Sequence, residues 1–372
     1  MHLHQPNGPI RSLIFVLGLS ALICSGVALL SQIALAKDKY KIDPVTGTKY
    51  KADQDMTDLL ASYASLGAKP IETLAPATAR QQPTMADAVL ALEKQRGIDT
   101  DPTKLVPDVT TVDTTIPGPN VDTTLAATVF TPVGPGPFPA VVYYHGGGWV
   151  IGSKGTYDAS ARALAHGANA VVVSIDYRLA PEHPFPAAWE DALAAYKWAA
   201  SDVGRWRGDP RRLALAGEGA GASLALVTAI ATADAGLTRP KAVIAIYPVT
   251  QTGEETESYV DSAHARILTK AMMSWFFSHT LTSPAQKTDP RLDFLHAKLS
   301  LLPPVILINA QIDPLRSDGA ILEEALKQAG VPVVRKEYEG MTHEFFGAAA
   351  VLPAAKKAQS FAADQLKEAF KE

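Results

Sequence analysis

The stretch Leu213-Ala-Leu-Ala-Gly-Glu-Gly-Ala-Gly-Ala222 decides the fold, because an apolar strand runs into a glycine-rich turn and then into a helix. Gly217 and Gly221 match the outer positions of the pattern G-x-S-x-G. In that pattern a sharp turn pushes the middle side chain outward, and the flanking glycines avoid clashes. The middle position here is Gly219, which has no side chain. By itself, such a turn is equally consistent with a phosphate cradle at a helix N-terminus or with a simple helix cap.

From about residue 108 to the C-terminus, apolar strands alternate with helical stretches. The predicted strands are 109–116, 125–130, 140–144, 171–175, 213–216, 242–246, 305–308 and 333–338. The predicted helices are 157–165, 187–200, 220–232, 318–329 and 354–371. This rhythm is typical of an α/β fold with a mostly parallel, doubly wound sheet of eight strands. We expect the sheet to start antiparallel, and ligands to bind at the carboxyl ends of its strands.

The first 36 residues have the composition of a targeting segment. Arg11 is their only charged residue, and residues 12–36 are mostly apolar. The small residues Ala34-Leu35-Ala36, followed by charged residues, fit the cleavage pattern of a secretory signal peptide better than an uncleaved membrane anchor. The expected location is therefore secreted or periplasmic. Cys24 is the only cysteine, so cleavage after Ala36 would leave a chain without disulfides, thiolate metal sites or a cysteine nucleophile.

Residues 37–107 are predicted to form a helical cap, because apolar residues recur at helical spacing in 56–66 and 85–98. Residues 108–372 are predicted to form the main α/β domain. The net charge of −4, without a run rich in lysine or arginine, argues against nucleic acid as a partner.

Three strand ends carry residues suited to chemistry. His145-Gly-Gly-Gly-Trp149 follows the third strand, where backbone N–H groups could stabilise a negative charge on a ligand oxygen or simply form a turn. Asp313 follows the seventh strand and His343 the eighth. In isolation, Asp313 would be a helix cap and His343 a surface residue. The order of turn, acid and histidine along the chain is nevertheless that of an α/β-hydrolase triad.

With these motifs, the chain resembles the hormone-sensitive lipase family of α/β-hydrolases, which includes many bacterial carboxylesterases. The motifs that carry the resemblance are His145-Gly-Gly-Gly-Trp149, Asp176-Tyr-Arg-Leu-Ala-Pro-Glu-His-Pro-Phe-Pro186, the turn around Gly219, Leu302-Pro-Pro304, Asp313-Pro-Leu315 and Gly340-Met-Thr-His343. The resemblance implies an α/β-hydrolase fold for residues 108–372.

The resemblance also implies a function and its residues. We expect two-step hydrolysis of short or medium acyl esters through an acyl-enzyme, with a small-molecule ester as substrate and without a cofactor or metal. Asp313 would be the triad acid and His343 the general base. The N–H groups of Gly147, Gly148 and Ala220 would form the oxyanion hole.

The departure from the family is at the nucleophile, since the family has serine where this chain has Gly219. Three interpretations follow: an esterase variant without its nucleophile, a non-catalytic small-molecule binder, or a weak hydrolase in which His343 activates a water. Glu218 is expected to point away from the pocket, and Ser223 to be a buried helix hydroxyl.

Two further expectations concern packing. Within the 176–186 motif, Asp176, Arg178 and Glu182 are expected to satisfy one another beside a proline-fixed turn. Trp149 and the run 275–277 would line an acyl pocket or pack in the core or cap. His145 is expected to hold the glycine loop by hydrogen bonds.

Overall fold

A twisted sheet of eight strands runs through the computed structural model, which describes residues 41–253 and 255–371. Its strand order is β1-β2-β4-β3-β5-β6-β7-β8. The strands are β1 (Val109–Pro117), β2 (Thr124–Pro132), β3 (Phe138–Tyr144), β4 (Val171–Ile175), β5 (Gly208–Glu218), β6 (Val243–Ile246), β7 (Val305–Ile312) and β8 (Val333–Thr342). Strand β2 pairs antiparallel with β1 and with β4, and every other pairing is parallel. All eight predicted strands and the antiparallel start are confirmed.

Two helical layers cover the sheet. One face packs against α6 (Ala187–Asp202), α7 (Ala220–Asp234) and α10 (Arg316–Gln328), and the other against α5 (Asp158–Ala168) and α11 (Pro353–Ala369). Alternate residues of one strand belong to the two cores: Val142 lies in the first, and Val141 and Tyr143 lie in the second. Burial on both faces explains why the central strands are continuous apolar runs in the sequence.

The N-terminal helices are α1 (Gln54–Ser65), α2 (Pro76–Ala79), α3 (Met85–Arg96) and α4 (Pro102–Leu105). A capping box between Thr84 and Asp87 starts α3, and Gly97, with φ +68°, ends it. Helix α1 packs against α3 and reaches the end of β8, where Thr342 contacts Met56. The two helical stretches predicted in this segment are therefore present, while the division at residue 107 stays a prediction.

The predicted signal peptide, residues 1–36, lies outside the described residues. Residues 43–372 cluster as one compact unit. Within the described part of the chain, no helix combines the length and apolarity needed to cross a membrane.

The connection between β6 and β7 contains structure that the sequence analysis did not predict. It includes α8 (Glu257–Asp261) and α9 (Lys270–Thr280), followed by short 3₁₀ turns at Pro284–Thr288, Phe294–His296 and Leu299–Leu301. The side chain of Thr269 caps α9. Trp275 of α9 donates a hydrogen bond to the carbonyl of Leu74 at 3.2 Å. Helix α9 is thus hydrogen-bonded to the N-terminal segment.

Candidate active site

The turn between β5 and α7 has the geometry of a strained elbow. Gly219 adopts φ +53° and ψ −116°, and its N–H donates to the carbonyl of Ile246 at 2.9 Å. A Cβ on Gly217 would overlap the backbone of Gly221, and a Cβ on Gly221 would overlap the carbonyl oxygen of Tyr144. Both outer glycines are therefore required by the close approach of backbone segments.

Gly219 differs from the outer glycines in its surroundings. A Cβ built on Gly219 would meet the imidazole of His343, with Nε2 at 3.4 Å and Cε1 at 3.7 Å. Apart from its chain neighbours, no other described residue comes within 4 Å of that Cβ. These distances are ordinary van der Waals contacts. The apex therefore has room for a side chain, and that side chain would lie against a ring nitrogen of His343.

His343 is held by a buried carboxylate. Asp313 Oδ2 lies 2.7 Å from His343 Nδ1, and Asp313 Oδ1 accepts the N–H of Leu315 at 2.8 Å. Burial lowers the pKa of His343, but the charge and hydrogen bond of Asp313, together with the charges of Glu344 and Glu218, outweigh it, so the pKa lies above its ordinary value. Asp313 fixes the ring so that Nε2 faces Gly219. The predicted acid and base are thus brought together with the elbow.

The glycine loop after β3 lies beside the elbow. Gly147 and Gly148 have φ of +97° and +59°, and a Cβ on them would overlap the carbonyl of Ile151 and the ring of Phe276, respectively. Ala220 is the first residue of α7, so its N–H has no intrahelical acceptor. These three backbone positions, predicted as an oxyanion hole, come from the loop and helix that border Gly219.

His145 braces the glycine loop as expected. Its Nδ1 lies 2.7 Å from the carbonyl oxygen of Gly146, and Tyr177 donates to the carbonyl of His145 at 2.9 Å. The rings of His145 and Tyr177 stack at 4.2 Å. Burial lowers the pKa of His145, so this ring is suited to a neutral, structural role.

Comparison with known proteins agrees with this geometry. Residues 141–347 match a family model described as alpha/beta hydrolase fold. The chain belongs to the α/β-hydrolase family. Carboxylesterase NlhH of Mycobacterium tuberculosis is 37% identical over 294 residues, which cover 77% of this chain and 91% of that protein.

Two solved structures give the same result. An esterase of Pyrobaculum calidifontis is 37% identical with a TM-score of 0.73, covering 82% of this chain and 97% of that one. An ester-hydrolase from the metagenome of Lake Arreo, solved with a bipyridine phosphonate derivative, is 34% identical with a TM-score of 0.74. The match covers 86% of this chain and all of the other. The α/β-hydrolase fold predicted for the main domain is therefore confirmed.

Behind the elbow of this hydrolase fold lies a buried polar network that the sequence analysis missed. Tyr143 of β3 and Tyr247, just after β6, each donate to one carboxylate oxygen of Glu218. Burial raises the pKa of Glu218, against hydrogen bonds that lower it. Tyr157 donates to Glu344 at 2.8 Å nearby. The carboxylate of Glu218 is thus hydrogen-bonded away from Gly219, as expected. In the sequence, its position next to Gly219 was the only sign of this network.

The expectation that the charges of the 176–186 motif satisfy one another is wrong. Arg178 pairs with buried Asp191 of α6 at 2.7 Å, and Asp176 accepts the N–H of Lys154 at 2.6 Å. Glu182 pairs instead with Arg80 at 2.6 Å. Arg178 donates to Asp191 through both its backbone N–H and its guanidinium. The three charged side chains of the motif therefore pair with three different parts of the chain.

Arg80 links the N-terminal segment to this motif. Besides Glu182, its guanidinium donates to the carbonyls of Val150 and Ala180 at 2.8 and 2.7 Å. One arginine thus joins α2 to the end of the glycine loop and to the turn that follows β4.

The aromatic candidates separate into two roles. Phe276 lies against Gly148 and borders the site. Trp149 is buried and packs against Trp189 and Phe277, with ring centroids 5.0 and 6.3 Å away, so it belongs to the core.

Ser223 is a helix hydroxyl as expected. It lies one turn beyond Gly219 in α7, is buried, and donates to the carbonyl of Val249. Its oxygen is therefore committed to the connection after β6.

Proposed function

We propose that this protein is a carboxylic-ester hydrolase of the hormone-sensitive lipase type whose attacking oxygen is absent. The observation that carries the proposal is the empty apex. Gly219 adopts the elbow conformation, has room for a side chain, and faces Nε2 of a histidine already paired with a buried aspartate. The carboxylesterases and esterases to which the chain is similar support an ester as the bound molecule.

In this proposal the remaining groups keep their usual roles. Asp313 orients His343 through Nδ1, and His343 handles protons through Nε2. The amides of Gly147, Gly148 and Ala220 stabilise the developing oxyanion, where preorganised donors lower the barrier most. Neither a metal nor a cofactor is needed for these steps.

Without the serine oxygen, no acyl-enzyme forms. Loss of a triad serine lowers turnover about a millionfold, or ~8 kcal/mol in activation free energy. The oxyanion hole and substrate binding alone retain roughly 10³ to 10⁴-fold acceleration over water. The chain as it stands therefore binds esters and turns them over slowly.

The space beside Nε2 favours one route for that slow turnover. A water in this space would lie against the general base, and His343 would activate it for direct attack on the ester carbonyl. This route predicts that His343→Ala abolishes the residual activity. A non-catalytic binder would bind the ester without releasing product, and His343→Ala would leave that result unchanged.

The test compares three proteins that differ only at residue 219: the chain itself, Gly219→Ala and Gly219→Ser. With a short-chain aryl ester, Gly219→Ser is expected to give a burst of phenolate followed by rapid turnover, and a phosphonate should label its new serine. Gly219→Ala controls for the added Cβ and should give neither result. An inactive, unlabelled and correctly folded Gly219→Ser protein would overturn the proposal in favour of the binder.

We further propose that the protein is exported and acts outside the cytoplasm, on the basis of the apolar segment 12–36 and the small residues before Lys37. N-terminal sequencing of the protein from the cell envelope or medium tests this. A mature chain beginning at Lys37 is the expected result, and retention of Met1 would contradict cleavage.

A further inference from the structure

A cavity of about 850 Å³ lies between helix α3 of the N-terminal segment and helices α5 and α11. Its volume is that of a site for a small molecule. Gly219, His343 and Phe276 are not among the residues that line it. The cavity is therefore a second candidate site, separate from the elbow.

Much of the cavity wall is apolar. Helix α3 contributes Met85, Val89 and Leu90, the short helix α4 contributes Leu105, and helices α5 and α11 contribute alanines. Leu90 and Leu105 are 40% and 44% exposed, so an apolar guest would cover more of their surface. Because burying apolar surface favours binding, the wall suits a ligand with an apolar body.

Glu93 brings a carboxylate into this wall. It lies on α3 one turn beyond Val89 and Leu90, so the three side chains share a face of the helix. Glu93 is 3% exposed, and no described residue donates a hydrogen bond to its carboxylate or forms an ion pair with it. Burial alone raises the pKa of this carboxyl group. A buried charge is costly without a partner, and a ligand could supply that partner.

The other charged side chains of the cavity do not compete for this role. The cations that line it are paired or exposed: Arg162 with Asp158 at 2.9 Å, Lys367 with Asp364 at 3.3 Å, His166 with Asp108 at 2.7 Å, and Lys356 in solvent. Glu218 and Glu344 accept hydrogen bonds from tyrosine hydroxyls. Glu93 is thus the buried carboxylate of the lining that has no donor within the described chain.

An organic cation fits this environment better than a metal ion. Metal ions that prefer carboxylates take several oxygen ligands, and the described residues contain no group of three or more His, Cys, Asp or Glu that could hold one. A primary ammonium group has N–H donors and no acceptor, which one carboxylate and solvent can satisfy. An apolar tail on that group would match the rest of the wall.

We propose that this cavity binds a primary amine with an apolar tail, whose ammonium group pairs with Glu93. The tail lies between α3 and the alanines of α5 and α11. This site goes beyond the proposed function, because it uses none of the groups at the elbow.

Calorimetric titration of the chain itself with hexylammonium chloride tests the proposal. Hexanol and hexanoate have the same tail and differ in the head group. We expect saturable binding of hexylammonium, binding of hexanol that is weaker by at least about tenfold, and no binding of hexanoate, because hydrogen bonds to charged groups are the stronger ones. No saturable binding of hexylammonium, or equal affinity for hexylammonium and hexanol, would overturn the proposal.

Two substitutions compare carboxylates of the lining. Glu93→Gln keeps the size of the side chain and removes its charge, so it should weaken hexylammonium binding by at least about tenfold and leave hexanol binding unchanged. Asp364→Asn is the matched control, since Asp364 is already paired with Lys367, and it should change the affinity by less than about twofold. Equal losses in the two variants would show a general effect of charge and overturn the site.

A third substitution tests the position of the tail. Ala163 of α5 lines the cavity, and Ala163→Leu should weaken the binding of hexylammonium and hexanol alike. This variant also decides the question should Glu93→Gln fail to fold. Unchanged binding of both compounds would place the ligand elsewhere and overturn the proposal.

The outcomes also separate this site from the elbow. A Gly219→Ser protein labelled by a phosphonate should bind hexylammonium as the chain itself does. Loss of binding after labelling would place the amine at the elbow and overturn the inference. An inactive, unlabelled Gly219→Ser protein would overturn the proposed function alone, because the titrations of the chain itself do not depend on it.

Discussion

The glycines of the elbow differ in what surrounds them. Backbone oxygens or backbone atoms lie where a Cβ of Gly217 or Gly221 would be, whereas only the ring of His343 lies near a Cβ of Gly219. Packing thus requires the two outer glycines and does not require the one at the apex. The apex therefore has the open position beside His343 that the proposed function requires of a nucleophile site.

The largest effect is expected at Asp313, the acid that orients His343. In a Gly219→Ser background, Asp313→Asn should lower kcat by about 10⁴-fold, because the imidazole loses the carboxylate that fixes its tautomer. Steady-state assays with an aryl ester measure this.

Asp318 provides a matched control for that experiment. It is also buried, and burial raises its pKa to about 7, but its carboxylate accepts the N–H of Thr250 at 3.0 Å. Asp318→Asn should therefore change kcat by less than about tenfold. Equal losses in the two variants would show that Asp313 acts only through folding.

The comparison of the glycines predicts a difference in stability. Gly221→Ala should lower the free energy of unfolding by at least about 3 kcal/mol, because its Cβ meets a backbone carbonyl that cannot move freely. Gly219→Ala should cost less, about 1 to 2 kcal/mol, because its Cβ meets only the ring of His343 at ordinary contact distance, although φ +53° and ψ −116° are rarely adopted by residues with a side chain. Urea unfolding measures both, and similar losses would break the comparison.

A smaller effect is expected at the glycine loop. In the Gly219→Ser background, Gly148→Ala should lower kcat by about 10²-fold, because its Cβ displaces either the ring of Phe276 or the loop amides. Phe276→Leu added to that protein should recover part of the activity by making space. If Phe276→Leu gives no recovery, the loop and not the ring has moved.

The smallest predicted effect is a shift in pH dependence. Because the pKa of His343 is raised, the Gly219→Ser protein should lose activity as pH falls through a value above the ordinary 6.5 of histidine, where the protonated ring cannot accept a proton. Glu344→Gln removes a charge that raises this pKa, so the midpoint should move to lower pH. A pH profile of kcat/KM measures both, and a midpoint that moves upward would contradict the assignment.

The strands and the site order were predictable because they depend on local sequence. Strands such as β4 and β6 are buried on both faces, and each motif residue sits at a strand end that the hydrophobic pattern locates. The pairing of Arg178 with Asp191 instead depends on how α6 packs. No spacing rule identifies such partners.

Other features depend on contacts between segments far apart in the chain. The two tyrosines on Glu218 come from β3 and from the end of β6, and Trp275 reaches Leu74 across about 200 residues of sequence. Helix α9 was missed although its exposed Ser274 and Ser278 are four residues apart and Trp275, Phe276 and Phe277 are buried, a pattern with helical period. Its position above the site is set by tertiary packing.

The hydrogen bonds from Tyr143 and Tyr247 to the carboxylate of Glu218 have a consequence for how the protein evolves. It fastens the elbow to the sheet from behind, so the strained turn does not rely on a catalytic side chain to keep its form. Some glycine codons differ from serine codons by one base. Under the proposed function, a single base change at the codon for residue 219 would therefore separate this chain from one that carries the nucleophile.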